Sequence, residues 1–398
     1  MRLLLINDWP RLHGGVEEYL GTLRPALADA GHEVALLTST AGSAADGTAE
    51  FRAFGTERLA PQTVLQIANP FAVAAVRRAV RRFRPDAALV GMVEAHLSPA
   101  ALLALGDVPT VLSVNNYKPI CPIAVKLLPD GTPCTVPAGA VCLRGGCVGL
   151  AHWIRDRPRY ALLRRAIGGV DVVVTCSEWM KRALASEGIA ARVIHLPVEP
   201  PSPGYARAPS ADPLLVFVGR LSREKGGALL IDAFARARTQ APGARLRIVG
   251  DGPERPELEA RVASRGMAPH VVFTGWQNPA GVERELSAAW AAVVPSLWAE
   301  PLGLVAAEPL VRGVPVIAAA HGGLLDIVEP GAGGLLFAPG DEAALAARLT
   351  EVLTGTAFPG RRPDADAVAR ARARHSPGAH VERLVRAFDD ARAGAATA

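Results

Sequence analysis

LLVFVGRLSREKGG, residues 214–227, decides how this chain is read. An apolar run of strand length turns at Gly219 into a charged loop, and the loop ends on a glycine pair. The run is continuous rather than alternating, which is the mark of a strand covered on both faces, as in parallel sheets. Working outward, RLRIVG (245–250), HVVFTG (270–275), AAVVPS (291–296) and VPVIAA (314–319) repeat the pattern. Their spacing leaves room for one crossover helix each, as right-handed βαβ units require.

The first half has the same rhythm. Strands are expected at LLLIN (3–7), EVALLT (33–38), AALVG (87–91), TVLSV (110–114), DVVVTC (171–176) and RVIHL (192–196). Helices fit between them. VEEYLGTLRPALADA stops before Gly31, and SEWMKRALASEG opens on the N-cap Ser177 and closes on Gly188. Between the halves, LPVEPPSPGYARAPSADP (196–213) is rich in Pro and Ser and reads as an interdomain linker. The fold class that follows is α/β, with two doubly wound Rossmann-like parallel-sheet domains facing across a cleft.

Composition fits. At 398 residues the chain is long for one core, and half of it is hydrophobic while a fifth is charged, as in soluble globular proteins. Its apolar runs fall short of the ~20 residues a membrane span needs. The start, MRLLLINDWP, has too short an apolar run for a signal peptide, so a cytoplasmic protein is expected. The net charge of +5 suits anionic ligands without demanding nucleic acid, and no nucleic-acid partner is expected. VRRAVRRFRP (76–85) and HWIRDRPRYALLRRAI (152–167) read as solvated surface, with peripheral contact to an anionic membrane as the other reading. Four of the five cysteines, Cys121, Cys134, Cys142 and Cys147, crowd a Gly/Pro-rich insertion at 118–150. They lack a CxxC pair, so a structural metal, paired thiols and buried free thiols all stay open.

The chemistry is concentrated in WAEPLGLVAAEPL (298–310). Glu300 lies past the strand AAVVPS, where Pro301 biases it away from helix, and Glu308 lies about two turns into the next helix. Eight helical residues put two side chains about 80° apart, so a shared-proton dyad is disfavoured. The two carboxylates read as contacts to different parts of one long ligand. Amides around Gly303, Leu304 and Val305 open the helix as an anion site. Arg220 and Lys225 supply cations in the loop after LLVFVG, which is not a P-loop. Gly322 and Gly323 in HGGLLDIV would let the backbone approach the ligand closely as part of the donor site, with His321 beside them near the sugar. Hydroxyls, then phosphate, then more hydroxyls describes a sugar nucleotide. Taken singly, each of these groups is an ordinary surface charge or turn; their joint order carries the reading.

GRLSREKGG, IVGDGP, FTGW, PSLWAEPLGLVAAEPL and GVPVIAAAHGG, in that order, resemble the donor domain of the family-four retaining glycosyltransferases of the GT-B fold. HGGVEEYL and GHEVALLT resemble its N-terminal domain, so the resemblance spans residues 1 to about 390. It implies an acceptor-binding domain at 1–198, a nucleotide-sugar donor domain at 199–376 and a C-terminal helix at 377–398 packing back on the first. Arg220 and Lys225 would hold the donor diphosphate, Glu300 the sugar hydroxyls and Glu308 the ribose. Gly14 and Gly15 would bring amides to the donor, and Gly250 and Asp251 would lie near the base. The implied reaction moves a sugar from a nucleotide-diphosphate sugar to a hydroxyl acceptor, with no metal and no separate cofactor.

One departure stands out. Where the family commonly has His-Asp, this chain reads SVNNYKPICP, placing Asn115 and Asn116 near the sugar or acceptor. An amide cannot take a proton at neutral pH. A sugar-nucleotide epimerase or hydrolase of the same fold, or a catalytically silent sugar-binding homologue, are the other readings.

Overall fold

The computed structural model describes residues 1–9, 15–41 and 49–395. The chain divides into two compact units, Met1–Leu196 with Pro377–Ala398, and Pro197–Ser376. The first holds strands β1 (Arg2–Asn7), β2 (Glu33–Ser39), β3 (Phe51–Ala53), β4 (Ala87–Val90), β5 (Thr110–Val114), β6 (Val172–Thr175) and β7 (Arg192–Val193). They form one parallel sheet in the order β3-β2-β1-β4-β5-β6-β7. The second holds β8 (Leu214–Val218), β9 (Arg245–Val249), β10 (Val271–Gly275), β11 (Ala291–Val294), β12 (Val316–Ala319) and β13 (Gly334–Phe337). These are parallel in the order β10-β9-β8-β11-β12-β13. Both orders are doubly wound. In such sheets a crevice opens outside the carboxyl ends where the order reverses, here at β1/β4 and at β8/β11.

The apolar runs are buried as their continuity requires: Leu3, Leu4 and Leu5 of β1, and Val316 to Ala319 of β12, have no exposed surface. Two edge strands, β3 and β13, were not expected from sequence. Each has only three or four residues and pairs on one side, so neither carries a long apolar run. RVIHL keeps only Arg192–Val193 in the ladder. Helix Pro70–Phe83 shows how the crossovers are specified. Asn69 Oδ1 accepts from the amides of Phe71 and Ala72 at 2.9 and 3.1 Å. Ala72, Ala75, Val76 and Ala79 form the buried stripe, which leaves Arg77, Arg78, Arg81 and Arg82 off it.

The last helix, Pro377–Ala395, packs against β4, β5 and β6 and against helix Gly15–Asp29. Its stripe of His380, Val381, Leu384, Ala387, Phe388 and Ala391 is buried. The Pro-rich segment after Leu196 is fastened to the second unit rather than left slack. Arg207 Nη1 donates to the carbonyls of Leu286, Ser287 and Ala289 at 2.7–3.0 Å, and Nη2 to that of Arg361 at 2.8 Å.

All five cysteines are free thiols, and no group of three or more metal-ligating side chains is assembled among the described residues. The insertion is held by a buried cation. Lys126 Nζ donates to Val136 O at 2.8 Å and lies 3.8 Å from Glu187. Among the described residues, no helix is long and apolar enough to cross a membrane.

Candidate active site

β8 and β11 are far apart in sequence but adjacent in the sheet, and their outgoing loops, which carry Lys225 and Glu300 75 residues apart, build the site. The loop after β8 makes a short 3-10 turn, Arg223–Lys225, then passes through Gly226 at φ 73°. A Cβ at Gly226 would lie 2.0 Å from Pro295 O, so only glycine lets the two loops touch. Leu297 N–H donates to Glu224 O at 2.8 Å and staples them.

Lys225 Nζ is thereby brought to 2.6 Å from Glu300 Oε1 and 5.1 Å from the centre of the Trp298 ring. Ser296 Oγ donates to the same Oε1 at 2.7 Å. Glu300 Oε2 has no hydrogen-bond partner among the described residues. Glu300 is only 5% exposed. A buried ion pair of this kind rarely stabilises a fold outright, which leaves a role in the site as the better reason for it.

The loop after β12 supports this carboxylate from behind. Gly322 has φ 64°, and a Cβ there would lie 2.5–2.6 Å from the Glu300 backbone N and O. Gly323 N–H donates to Glu300 O at 2.7 Å. The glycine pair therefore gives close approach to the Glu300 backbone, a contact the sequence left unspecified. His321 Nε2 donates to Ser296 O at 2.8 Å, and burial lowers its pKa, so the ring is neutral with Nε2 protonated. Its Nδ1 is buried with no partner among the described residues. Beyond Glu300, helix Leu304–Val311 opens at Gly303, φ 87°. The amides of Leu304 and Val305 find no acceptor among the described residues, as at any uncapped helix start. Glu308 lies in the second turn, half-buried, and the interior Pro309 follows it.

Arg220 is exposed, and its guanidinium pairs with no carboxylate among the described residues. Gly250 and Asp251 pack on that same loop, with Leu221 N–H donating to Asp251 O at 2.9 Å. The Asp251 side chain accepts from Gly252 N–H at 2.8 Å and pairs with Arg255 at 3.0 Å.

The family description "Glycosyltransferase Family 4" matches residues 13–200, and "Glycosyl transferases group 1" matches residues 205–372. A glycogen synthase from Mycobacterium tuberculosis is 30% identical over 399 residues, covering 91% of this chain and 88% of that protein. The chain belongs to the family-four glycosyltransferases. A 2-deoxystreptamine glucosyltransferase from Streptomyces kanamyceticus is 34% identical over 207 residues, a match spanning 48% of this chain and only 52% of that protein. A solved sucrose-phosphate synthase from Thermosynechococcus elongatus superposes with a TM-score of 0.72 at 23% identity, covering 98% of each chain. The fold is GT-B, and the protein is an enzyme, a glycosyltransferase.

In the first unit of this glycosyltransferase, Gly14 lies outside the described residues and Gly15 opens helix Gly15–Asp29. Asn115, buried just past β5, donates through Nδ2 to Ser113 Oγ at 2.9 Å. Asn116 Oδ1 accepts from Lys118 N–H at 2.8 Å. Sequence reasoning missed Asp8, at the end of β1. Its carboxyl accepts from the amides of Ala95, His96 and Leu97 at 2.6–2.8 Å, pinning the segment after β4 to β1. Burial pushes its pKa up to about 7 against those three amides, which favour the carboxylate. Ser296 and Trp298 were also missed, although Ser296 ends AAVVPS and Trp298 opens the quoted stretch WAEPLGLVAAEPL. Their place at a strand's carboxyl end was the available signal.

Proposed function

We propose that this glycosyltransferase takes a nucleoside-diphosphate sugar as donor and transfers the sugar to a hydroxyl acceptor with retention of configuration. The second unit holds the donor and the first unit the acceptor. The observation that carries this is the Lys225–Glu300 pair, lying at the reversal of strand order and followed in the chain by an open helix start. A diphosphate competes with Glu300 for Lys225, drawing Arg220 and the free amides of Leu304 and Val305 to its oxygens. Glu300 is then released to accept from sugar hydroxyls. Negative charge builds on the departing phosphate in the transition state, and fixed cations and dipoles stabilise it there. In this reading Lys225 and Arg220 supply the positive charge that a divalent ion supplies elsewhere, so activity survives a chelator. In this reading the acceptor attacks from the face the leaving group vacates, with no glycosyl-enzyme intermediate.

A panel of nucleoside diphosphates and their sugars tests the donor site, because a ligand at 100 times its Kd adds about 2.7 kcal/mol of apparent stability. We expect one diphosphate series to raise the melting temperature and the matching monophosphate to do so much less. No shift with any diphosphate sinks the proposal. With the donor in hand, the anomeric configuration of the product read by NMR decides retention. Nucleotide release that never depends on an acceptor would point instead to a hydrolase.

Glu308→Ala is expected to raise the donor KM about tenfold and leave kcat within about twofold, as for loss of one charged hydrogen-bond acceptor. Steady-state kinetics check this, and an unchanged KM removes the ribose role from Glu308.

A further inference from the structure

The first unit contains a cavity of about 270 Å³ between the cysteine-bearing insertion and helix Leu150–Ile167. Pro122, Cys142, Val148 and the Trp153 ring make its walls largely apolar. Asp156 and Tyr160 line it too, and both connect to the carboxyl edge of the sheet. Tyr160 Oη donates to Lys118 O at 3.0 Å, and Lys118 follows β5. Lys118 Nζ in turn donates to the carbonyl of the wall residue Pro122 at 3.0 Å. Asp156 binds Arg159 at 3.0 Å, and the charge on Arg159 acts on Glu94, which follows β4. Arg159 is 1% exposed, and its Nε and Nη1 have no partner among the described residues. The cavity therefore adjoins the region beyond the strand ends where doubly wound sheets take ligands.

The charges at its rim are not equivalent. Asp156 is already matched by His152, Arg155 and Arg159 at 2.9–3.1 Å, and Arg164 by Glu187 at 3.1 Å. Arg157 is the cation left over. Its guanidinium lies 4.8 Å from the centre of the Trp153 ring and pairs with no carboxylate among the described residues. On the same helix, Leu150 and Ile154 are each 58% exposed. Leu150, Ile154, Arg157, Ala161 and Arg164 fall at spacings of three and four, so one stripe runs from bare apolar side chains to the cavity rim.

Resting on the transferase reading above, we propose that this cavity is the acceptor subsite and that the acceptor is an anionic amphiphile. Its phosphate or carboxylate pairs with Arg157. The first carbons of its hydrocarbon fill the cavity against Trp153, and the rest of the chain lies along Ile154 and Leu150. The volume suits this: an apolar cavity of about 150 Å³ takes a benzene ring, so this one takes a few prenyl or alkyl carbons and no more. A slot with one uncommitted cation and an apolar exit track selects against a fully polar sugar or an aminocyclitol, which would leave Arg157 facing a like charge or nothing.

Farnesyl phosphate, inorganic phosphate and farnesol are the probes, with binding to the full chain followed by calorimetry. We expect farnesyl phosphate to bind and the two fragments to bind at least about tenfold more weakly, with Arg157→Ala and Trp153→Ala each costing about tenfold or more. Arg157→Lys should recover part of the loss. Nucleoside-diphosphate affinity, measured on the same samples, should stay at its wild-type value in all three variants. Farnesyl phosphate that does not bind, or binds Arg157→Ala and Trp153→Ala as well as wild type, overturns the subsite while leaving the donor site standing. Loss of diphosphate binding in wild type overturns the transferase reading instead. Attachment to anionic phospholipid vesicles that Arg157→Ala weakens, without farnesyl phosphate binding, would assign the stripe to a membrane surface and also overturn the subsite.

Discussion

Lys225→Ala should lower turnover by about a hundredfold or more while the protein still folds. The geometry gives Lys225 two duties. Its Nζ neutralises Glu300 at 2.6 Å. With the proposed donor bound, the same ammonium faces the leaving diphosphate, where charge grows as the bond to the sugar breaks. Loss of one preorganised charged donor of this kind typically costs about 2.7–4 kcal/mol in the barrier, which is the hundredfold. Stability should fall less than for a fully buried broken pair, because the Lys225 side chain is 20% exposed and Ser296 still donates to Glu300. Glu300→Ala should cost a similar factor. Since the two residues act as a unit, the double variant should be little worse than the poorer single one. Saturating-donor kinetics on the four proteins decide it. Wild-type turnover in Lys225→Ala would remove the diphosphate contact on which the proposed chemistry stands.

The second large effect concerns acid. His380, 2% exposed on the last helix, hydrogen-bonds through Nε2 to Tyr19 Oη at 2.6 Å and through Nδ1 to His195 O at 2.8 Å. A carbonyl can only accept, so Nδ1 carries the proton and Nε2 receives the tyrosine hydroxyl, which burial keeps protonated. That tautomer is neutral, and burial lowers its pKa from 6.5 to about 4. Between those values the unfolded chain takes up a proton that the folded chain refuses. Stability is therefore complete above pH 6.5 and drains as pH falls toward 4, by about 3 kcal/mol for a shift of this size. Denaturant titrations at pH 7.5 and 4.5 should show this loss in wild type and much less of it in His380→Gln. Buried His321 works in the same direction, so the difference between the two proteins, rather than the wild-type slope, isolates His380. Equal slopes would mean the ring already carries its charge in the folded state.

Strand positions were legible because a buried parallel strand must be an unbroken apolar run, and β1, β2, β4, β5 and β8 lie within a residue of where LLLIN, EVALLT, AALVG, TVLSV and LLVFVG put them. Short edge strands such as β3 and β13 carry no such run and stayed hidden. The separation of Glu300 and Glu308 was also legible: one stands in the loop after β11 and the other in the helix, as proline placement indicated. The contact of Lys225 with Glu300 was not. It depends on β8 and β11 being neighbours, and strand order is set by chirality and packing rather than by any local pattern. The same holds for Asp8, whose three amide partners lie almost ninety residues downstream. Gly322 and Gly323 announce a tight approach, read from sequence as one to a ligand, and the structure adds that the Glu300 backbone is packed against Gly322.

The helix that covers the first sheet leaves the ribosome only after the whole of the second unit. Until it emerges, the face of β4, β5 and β6 that it covers stays bare, although all seven strands of that sheet have long been synthesised. The second unit, encoded wholly between those pieces, can be finished first. Maturation thus runs against the order of synthesis, and a chain cut short near Ser376 loses the cover of the half made earliest.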